Sequence, residues 1–329
     1  MIFSVCRLEG HQLPFRSPDR QTKRRQGTNR RGRAYDFPAL AALRKDENLD
    51  REITMEKWTE RHAECRAAMG RMTEKYDEIA PDVAAIVGND QREIFGDDFM
   101  PAFAVYHGET VDNIPATAEQ RDLMPPGIAV AEPGHHLPEH AAYPGLPALG
   151  RHLIGSLIAD DFDLAQSTVL PNGGNPWNSG IPHAYGFVYR QIMKDDPAPS
   201  VPVILNTFCP PNQPSAKRCV AFGQALGRAI RSWDEDWSVA VIAFGGLSHL
   251  VIDEAFDRRI LDAMRQNDAD AMTGFPEPVL QSGTSETKSW IAAAGALSGA
   301  GLKMEIVDYV PCYRSEAGTG TAHAFAHWS

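Results

Sequence analysis

The sequence predicts an α/β fold, a single domain with a central, largely parallel sheet flanked by helices. Three observations carry this. Val83-Ala-Ala-Ile-Val87 and Val239-Ala-Val-Ile-Ala-Phe244 are short continuous apolar runs, the mark of strands covered on both faces. Trp58, Cys65, Met69, Met72, Tyr76 and Ile79 recur at three-, four- and seven-residue spacing, which gathers them on one face of a helix. Strand and helix patterns then alternate along the chain, the order that builds a sheet with helices packed on it.

The elements follow in order from about Tyr35. Pro81 closes the first long helix, and the run from Val83 follows as a buried strand. It ends in Gly88-Asn-Asp-Gln91, a polar turn at a strand's C-terminal end, where α/β sheets usually seat their ligands. Pro101-Ala-Phe-Ala-Val-Tyr106 is a second strand, and residues 111–146, rich in Pro, Gly and His, read as a long irregular excursion. A helix from Leu149 to Ile158 precedes a Gly-, Asn- and Pro-rich loop, residues 170–182, which delivers His183. Val201-Pro-Val-Ile-Leu205 is a strand whose prolines point to an edge or a strand start. Ser215 caps a helix running to Trp233. The strand from Val239 runs straight into Gly245-Gly-Leu-Ser-His249. Helices from Asp253 to Gln266 and from Thr284 to Leu297, and a strand from Met304 to Val310, complete the chain without internal repeats.

Composition narrows the class. With 329 residues, 43% apolar and 23% charged, the chain can bury a sizeable core without disulfides or metals. No apolar run approaches the length of a membrane span, and the N-terminus lacks the apolar core of a secretory signal. Cys6, Cys65, Cys209, Cys219 and Cys312 are scattered without a CxxC pair, which fits a reducing cytoplasm. The net charge of −11 is uneven: residues 1–34 hold nine basic side chains against Glu9 and Asp19, leaving a net of −18 afterwards. We therefore divide the chain into an atypical basic segment, 1–34, and a catalytic domain, 35–329. No nucleic-acid-binding motif or aromatic interleaving accompanies the basic run, so neither nucleic acid nor membrane is an expected partner.

Three local patterns can carry chemistry. Paired glycines after a buried strand let the backbone turn sharply and approach a ligand, and Gly245-Gly246 aims His249 into the ligand edge of the sheet. There its near-neutral pKa suits proton transfer; the bland alternative is a histidine that bonds a loop. His183 precedes Ala-Tyr-Gly-Phe-Val-Tyr, aromatics that can wall a pocket for a flat substrate or simply fill the core at a loop-to-strand junction. Glu286, in Gly283-Thr-Ser-Glu286, is either an anionic oxygen ligand or an acidic residue compensating a helix dipole. His135, His136 and His140 have helical spacing, but Pro133 and Pro138 break a helix there and argue against a zinc site. Gly223 and Gly227 lack the strand–GxGxxG–helix setting of a dinucleotide site, and Asp97-Asp98 and Asp160-Asp161 read as loop carboxylates.

Together these pieces resemble a family, the class III extradiol ring-cleavage dioxygenases, of the catalytic-subunit type found in protocatechuate 4,5-, gallate and 3-O-methylgallate dioxygenases. The resemblance runs from about Tyr35 to Trp328. Its anchors are Ala85-Ile-Val-Gly-Asn-Asp-Gln91 with Met100-Pro-Ala-Phe-Ala-Val105, His183-Ala-Tyr-Gly-Phe-Val188, Gly245-Gly-Leu-Ser-His249, Ser282-Gly-Thr-Ser-Glu286 with Trp290, and Tyr313-Arg-Ser-Glu-Ala-Gly-Thr-Gly320. The Gly-Asn-Asp-Gln form and the terminal motif lean toward the methylgallate-like branch.

The resemblance implies Fe(II) held by two histidines and a glutamate, with open positions for a catechol and O2. It makes Glu286 the carboxylate ligand, His249 the acid/base histidine, and His183 a second pocket histidine. Ser285 and Arg92 are the candidates to meet the substrate; Arg92 or Arg314 pairs with a ring carboxylate or is simply a surface charge. A homodimer is the assembly the resemblance implies. The chain departs from the pattern at the histidine ligands. In the protocatechuate branch one falls where this sequence has Gln91, a neutral oxygen donor, with Glu93 as a possible substitute. For the other, the first 34 residues offer only His11. The competing readings are a metal-free binding homologue or another metal-dependent activity on this fold. The missing histidines favour the binding homologue and the retained Glu286, His249 and His183 oppose it; metal identity and O2 uptake discriminate the other activity.

Overall fold

In a computed structural model, which describes residues 2–3, 28–172, 175 and 178–329, the runs marked as buried strands form the middle of one sheet. Ile2–Phe3, Val239–Phe244, Val83–Asn89 and Ser200–Leu205 lie side by side in that order, all parallel. Phe103–Tyr106 joins Ser200–Leu205 antiparallel and carries Ala165–Ser167, parallel, at that edge. On the other flank Thr319–Trp328 runs antiparallel to Ile2–Phe3, and both His249–Val251 and Met304–Tyr313 pair antiparallel with it. The sheet is mixed, with a parallel centre.

Helices cover both faces, which explains why residues 83–87, 201–205 and 239–244 of the central strands are apolar. Val83, Val87, Val201, Val203, Val241 and Ala243 enter one core, packed by the helices Pro147–Ala159, Ala216–Arg231 and Thr287–Leu297. Ala84, Ile86, Ile204, Ile242 and Phe244 enter the other, under Met55–Ile79 and His183–Phe187. Successive side chains of each strand therefore go to opposite cores, the two-residue period of a pleat.

Local chemistry sets the helix ends. Thr54 accepts the Lys57 N–H at the start of Met55–Ile79, and Ala80 turns left-handed ahead of Pro81. Ser215 and Asp253 cap the helices Ala216–Arg231 and Glu254–Arg265 in the same manner. Gly223 and Gly227 serve helix packing. A Cβ at Gly223 would lie 1.9 Å from the Ala292 carbonyl oxygen, and one at Gly227 2.1 Å from that of Ala296.

The structure corrects three expectations. Residues 111–146 are not irregular: the hairpin of Thr110–Asn113 with Ala141–Pro144 brackets the short helices Ala118–Leu123 and Pro126–Ala131. The proline-bearing strand is internal rather than an edge. Within this strand Phe103–Tyr106 reaches only residues 203–205, so Pro202 stands beyond the end of that ladder, where its missing N–H does no harm. The strand Thr319–Trp328 has no counterpart in the sequence reading. Its alanines and glycine carry little strand preference, and it is held by pairing along Met304–Tyr313. Among the described residues no disulfide joins the cysteines, and no helix is long and apolar enough to cross a membrane.

Candidate active site

Two parallel strands in register, with Ala243 opposite Val87, open their C-terminal ends at the same edge of the sheet. Asp90-Gln91-Arg92-Glu93 follows one and Gly245–His249 the other. The first turn is built by Asp90, whose carboxylate accepts the N–H groups of Glu93 (2.8 Å), Ile94 (3.0 Å) and Phe95 (3.2 Å). Burial, reinforced by the charge of Glu93, pushes Asp90 up to about 6 despite those bonds. The second turn is shaped by glycine. A Cβ at Gly246 would lie 2.7 Å from His249 Nδ1, and one at Gly283 2.6 Å from His249 Cδ2. Beneath it, buried Asp257 accepts from Ser248 N (2.8 Å), Ser248 Oγ (2.6 Å) and Tyr309 OH (2.8 Å).

Glu286 reaches this edge from a short turn, Ser282–Glu286, that leads into the helix Thr287–Leu297. Its carboxylate stands at the N-cap of that helix but accepts no N–H of the helix. Instead Oε2 accepts the Gly246 N–H at 2.7 Å, Oε1 accepts Gln91 Nε2 at 2.5 Å, and His249 Nε2 stands 3.4 Å from Oε1. Trp290, one turn further along, is fully buried and donates its indole N–H to the Gly245 carbonyl at 2.8 Å. Burial alone would raise the Glu286 carboxyl, but the His249 charge, its hydrogen bond and the Gly246 N–H hold it at about 2. His249 is raised in turn: burial opposes its protonation, and Glu286 outweighs burial. The Leu247 carbonyl, 3.1 Å from His249 Nδ1, adds to the same effect.

His183 opens the helix His183–Phe187 rather than a strand. Its Nδ1 is 2.6 Å from Glu93 Oε1, and its backbone N–H donates to Glu93 Oε2 at 2.8 Å. Its ring packs edge-on to Phe244 and to His135, with centroids 5.9 Å apart in both cases. A proton added to His183 would also help to hold Glu286 down, which puts the two residues in one electrostatic neighbourhood.

The structure thus brings Gln91, His249 and Glu286 together, with His183 beside them. Glu93, expected as a substitute ligand, is turned to His183 instead. Ser285 is fully buried and its hydroxyl lacks a hydrogen-bond partner. Arg92 is half exposed, in left-handed backbone, and its guanidinium pairs with Asp97 at 2.8 Å; Arg314 is exposed. His11 lies outside the described residues. Of the other histidines, His136 bonds Glu132 and the exposed His140 bonds Asp112, so the three do not converge. Sequence reasoning missed Glu93 as a partner of His183, and His135 as its neighbour. The only signal for Glu93 was its place in the same polar turn as Gln91.

A metal ion needs convergent donors. Among the described residues no group of three or more His, Cys, Asp or Glu side chains is arranged to hold one. The cluster offers one carboxylate, one imidazole and one amide, and that amide now donates its N–H to the carboxylate. These residues alone do not fit the two-histidine, one-carboxylate set of a non-haem iron site.

Residues 53–324 match the family model described as the catalytic LigB subunit of aromatic ring-opening dioxygenase. Among curated proteins, a gallate dioxygenase of Pseudomonas putida is 32% identical over 168 residues, covering 47% of this chain and 46% of the relative. The chain therefore matches about half the length of that relative.

Proposed function

The chain belongs to the family of catalytic LigB subunits of aromatic ring-opening dioxygenases, and from that premise we propose that it opens a carboxylated catechol- or gallate-type ring by extradiol cleavage, inserting both atoms of O2. Protocatechuate and 3-O-methylgallate stand beside gallate as the rings to try. The observation that carries the proposal is the meeting of Glu286, Gln91 and His249 at the C-terminal edge of two parallel strands, with His183 alongside. An anionic oxygen donor next to two imidazoles suits a reaction that takes a proton from a ring hydroxyl and returns one during O–O cleavage.

In this proposal His249 and His183 carry the protons. Glu286 would be the carboxylate ligand of Fe(II), which would activate O2 when bound, and Gln91 would hold that carboxylate. The described donors are too few for iron, so the proposal requires a further ligand, for which His11 is the histidine available. Ser285 and Arg92 face the substrate only if the turns that carry them rearrange, because Ser285 is enclosed and Arg92 is paired with Asp97. A homodimeric, cytoplasmic enzyme completes the proposal, and light scattering on the purified chain reads the assembly.

The test is anaerobic Fe(II) reconstitution followed by oxygen uptake with protocatechuate, gallate and 3-O-methylgallate. Uptake that His249→Ala and Glu286→Ala both abolish is the expected result. Iron bound without uptake on any ring would overturn the substrate class. Failure to bind iron would overturn the dioxygenase proposal for this chain.

A further inference from the structure

A histidine can work as a base only when the nitrogen that faces its substrate is the bare one, and the neutral ring chooses between two tautomers. At His183 that choice is made by a single neighbour. A carboxylate only accepts, so Glu93 Oε1, 2.6 Å away, requires the proton to sit on Nδ1. Glu93 Oε2 takes the backbone N–H of the same residue at 2.8 Å, so one carboxylate grips both the ring and the main chain of His183.

Glu93 is itself held from several sides. Asp90 takes its N–H, and Asn178 Nδ2 lies 3.5 Å from its carbonyl oxygen. Asn175 Nδ2 donates to the carbonyl of neighbouring Arg92 at 2.7 Å. The turn between the Val83–Asn89 strand and Phe95 is therefore tied to the loop that delivers His183, across more than 80 residues of sequence. The ring has little room to flip, since Phe244 and His135 pack on it edge-on.

We propose that Glu93 is a positioning residue for His183: it fixes the ring with Nδ1 protonated and leaves Nε2 as the bare nitrogen that accepts a proton from the ring hydroxyl of the substrate. The catalytic half of this statement rests on the dioxygenase proposal above; the tautomer half does not. The groups whose charges bear on His183 are Glu93, Glu286 and His136, with the His135 ring in contact. Glu93→Gln keeps the shape but can donate as well as accept, so it releases the constraint without emptying the space.

The experiment uses the full chain labelled with 15N-histidine, with His183 assigned by the signal that His183→Gln removes. Two-bond proton–nitrogen spectra distinguish a bare from a protonated ring nitrogen. The expected result is a wild-type His183 protonated at Nδ1 and bare at Nε2, and a Glu93→Gln variant with mixed or reversed tautomers. The iron-reconstituted variant should lose kcat on the order of 10²-fold with KM little changed. Glu93→Asp, too short to span ring and main chain together, should recover only part of that loss. A wild-type ring protonated at Nε2 alone, a tautomer unchanged by Glu93→Gln, or an unchanged kcat would each overturn the assignment. If the wild-type chain opens no ring at all, the dioxygenase proposal fails and the spectra still decide whether Glu93 sets the tautomer.

Discussion

Gln91 and Glu286, 195 residues apart in sequence, meet through a 2.5 Å hydrogen bond from the amide Nε2 to the carboxylate Oε1. The resemblance to the protocatechuate branch implies a metal-binding histidine at this position, and here the amide serves the carboxylate instead. Partners of that kind orient a ligand and hold its charge.

Removing the amide should therefore weaken metal binding without unfolding the chain. Gln91→Ala should lower Fe(II) affinity roughly 10- to 100-fold. Gln91→His, which restores an imidazole, should raise it above wild type. Iron content per chain after dialysis against a mild chelator measures both. Equal iron in all three proteins would show that Gln91 plays no part at the metal.

The fold was legible where one residue type repeats a single message. Residues 83–87 and 239–244 are apolar throughout because both faces are covered, and such a run reads as a strand without any knowledge of its partners. Thr319–Trp328 was not legible, because its small residues gain their strand geometry from pairing with Met304–Tyr313, Ile2–Phe3 and His249–Val251. The site divides in the same way. His249 and Glu286 sit in glycine-bearing motifs that announce a tight approach. The tie between Glu93 and His183 spans 90 residues, and no local pattern in either segment points to the other.

Trp290 links the stability of the site to its shape. Its indole N–H holds the Gly245 carbonyl, and the Gly245 backbone packs on Glu286. Trp290→Phe fills most of the space but leaves that buried carbonyl without its donor, a loss of about 1–3 kcal/mol. We expect a melting temperature lower by several degrees, together with reduced iron retention. A variant that melts like wild type would show that the carbonyl finds another partner.

The glycines between two helices make a second stability prediction. Gly223→Ala drives a Cβ against the Ala292 carbonyl, 1.9 Å away, and the helices Ala216–Arg231 and Thr287–Leu297 must separate. Overpacking of this kind costs about 1–3 kcal/mol. The second helix begins directly after Glu286, so the shift should also reach the site. Thermal melting and oxygen uptake should therefore fall together, whereas Gly70→Ala, where a Cβ meets nothing within 4 Å, should leave both alone.

Asp257 gives the chain a pH dependence of definite sign. Burial raises its carboxyl from 3.8 to about 7, and the bonds from Ser248 and Tyr309 keep it from rising further. Its folded pKa lies above its unfolded one, so between about pH 4 and pH 7 the folded chain binds more protons than the unfolded chain at this residue. Stability contributed by Asp257 is then present at the acid end and lost as pH rises through that window. Glu286 does not confound the measurement, because its carboxyl, held at about 2, loses its contribution only as pH falls below its unfolded value of 4.5. Asp257→Asn removes the titration while keeping acceptor and donor groups near Ser248 and Tyr309. The difference in melting temperature between wild type and Asp257→Asn should move against wild type from pH 5 to pH 8. A difference that stays flat across this range would mean that Asp257 is already ionised in the folded chain at pH 5, with the three donated hydrogen bonds outweighing burial.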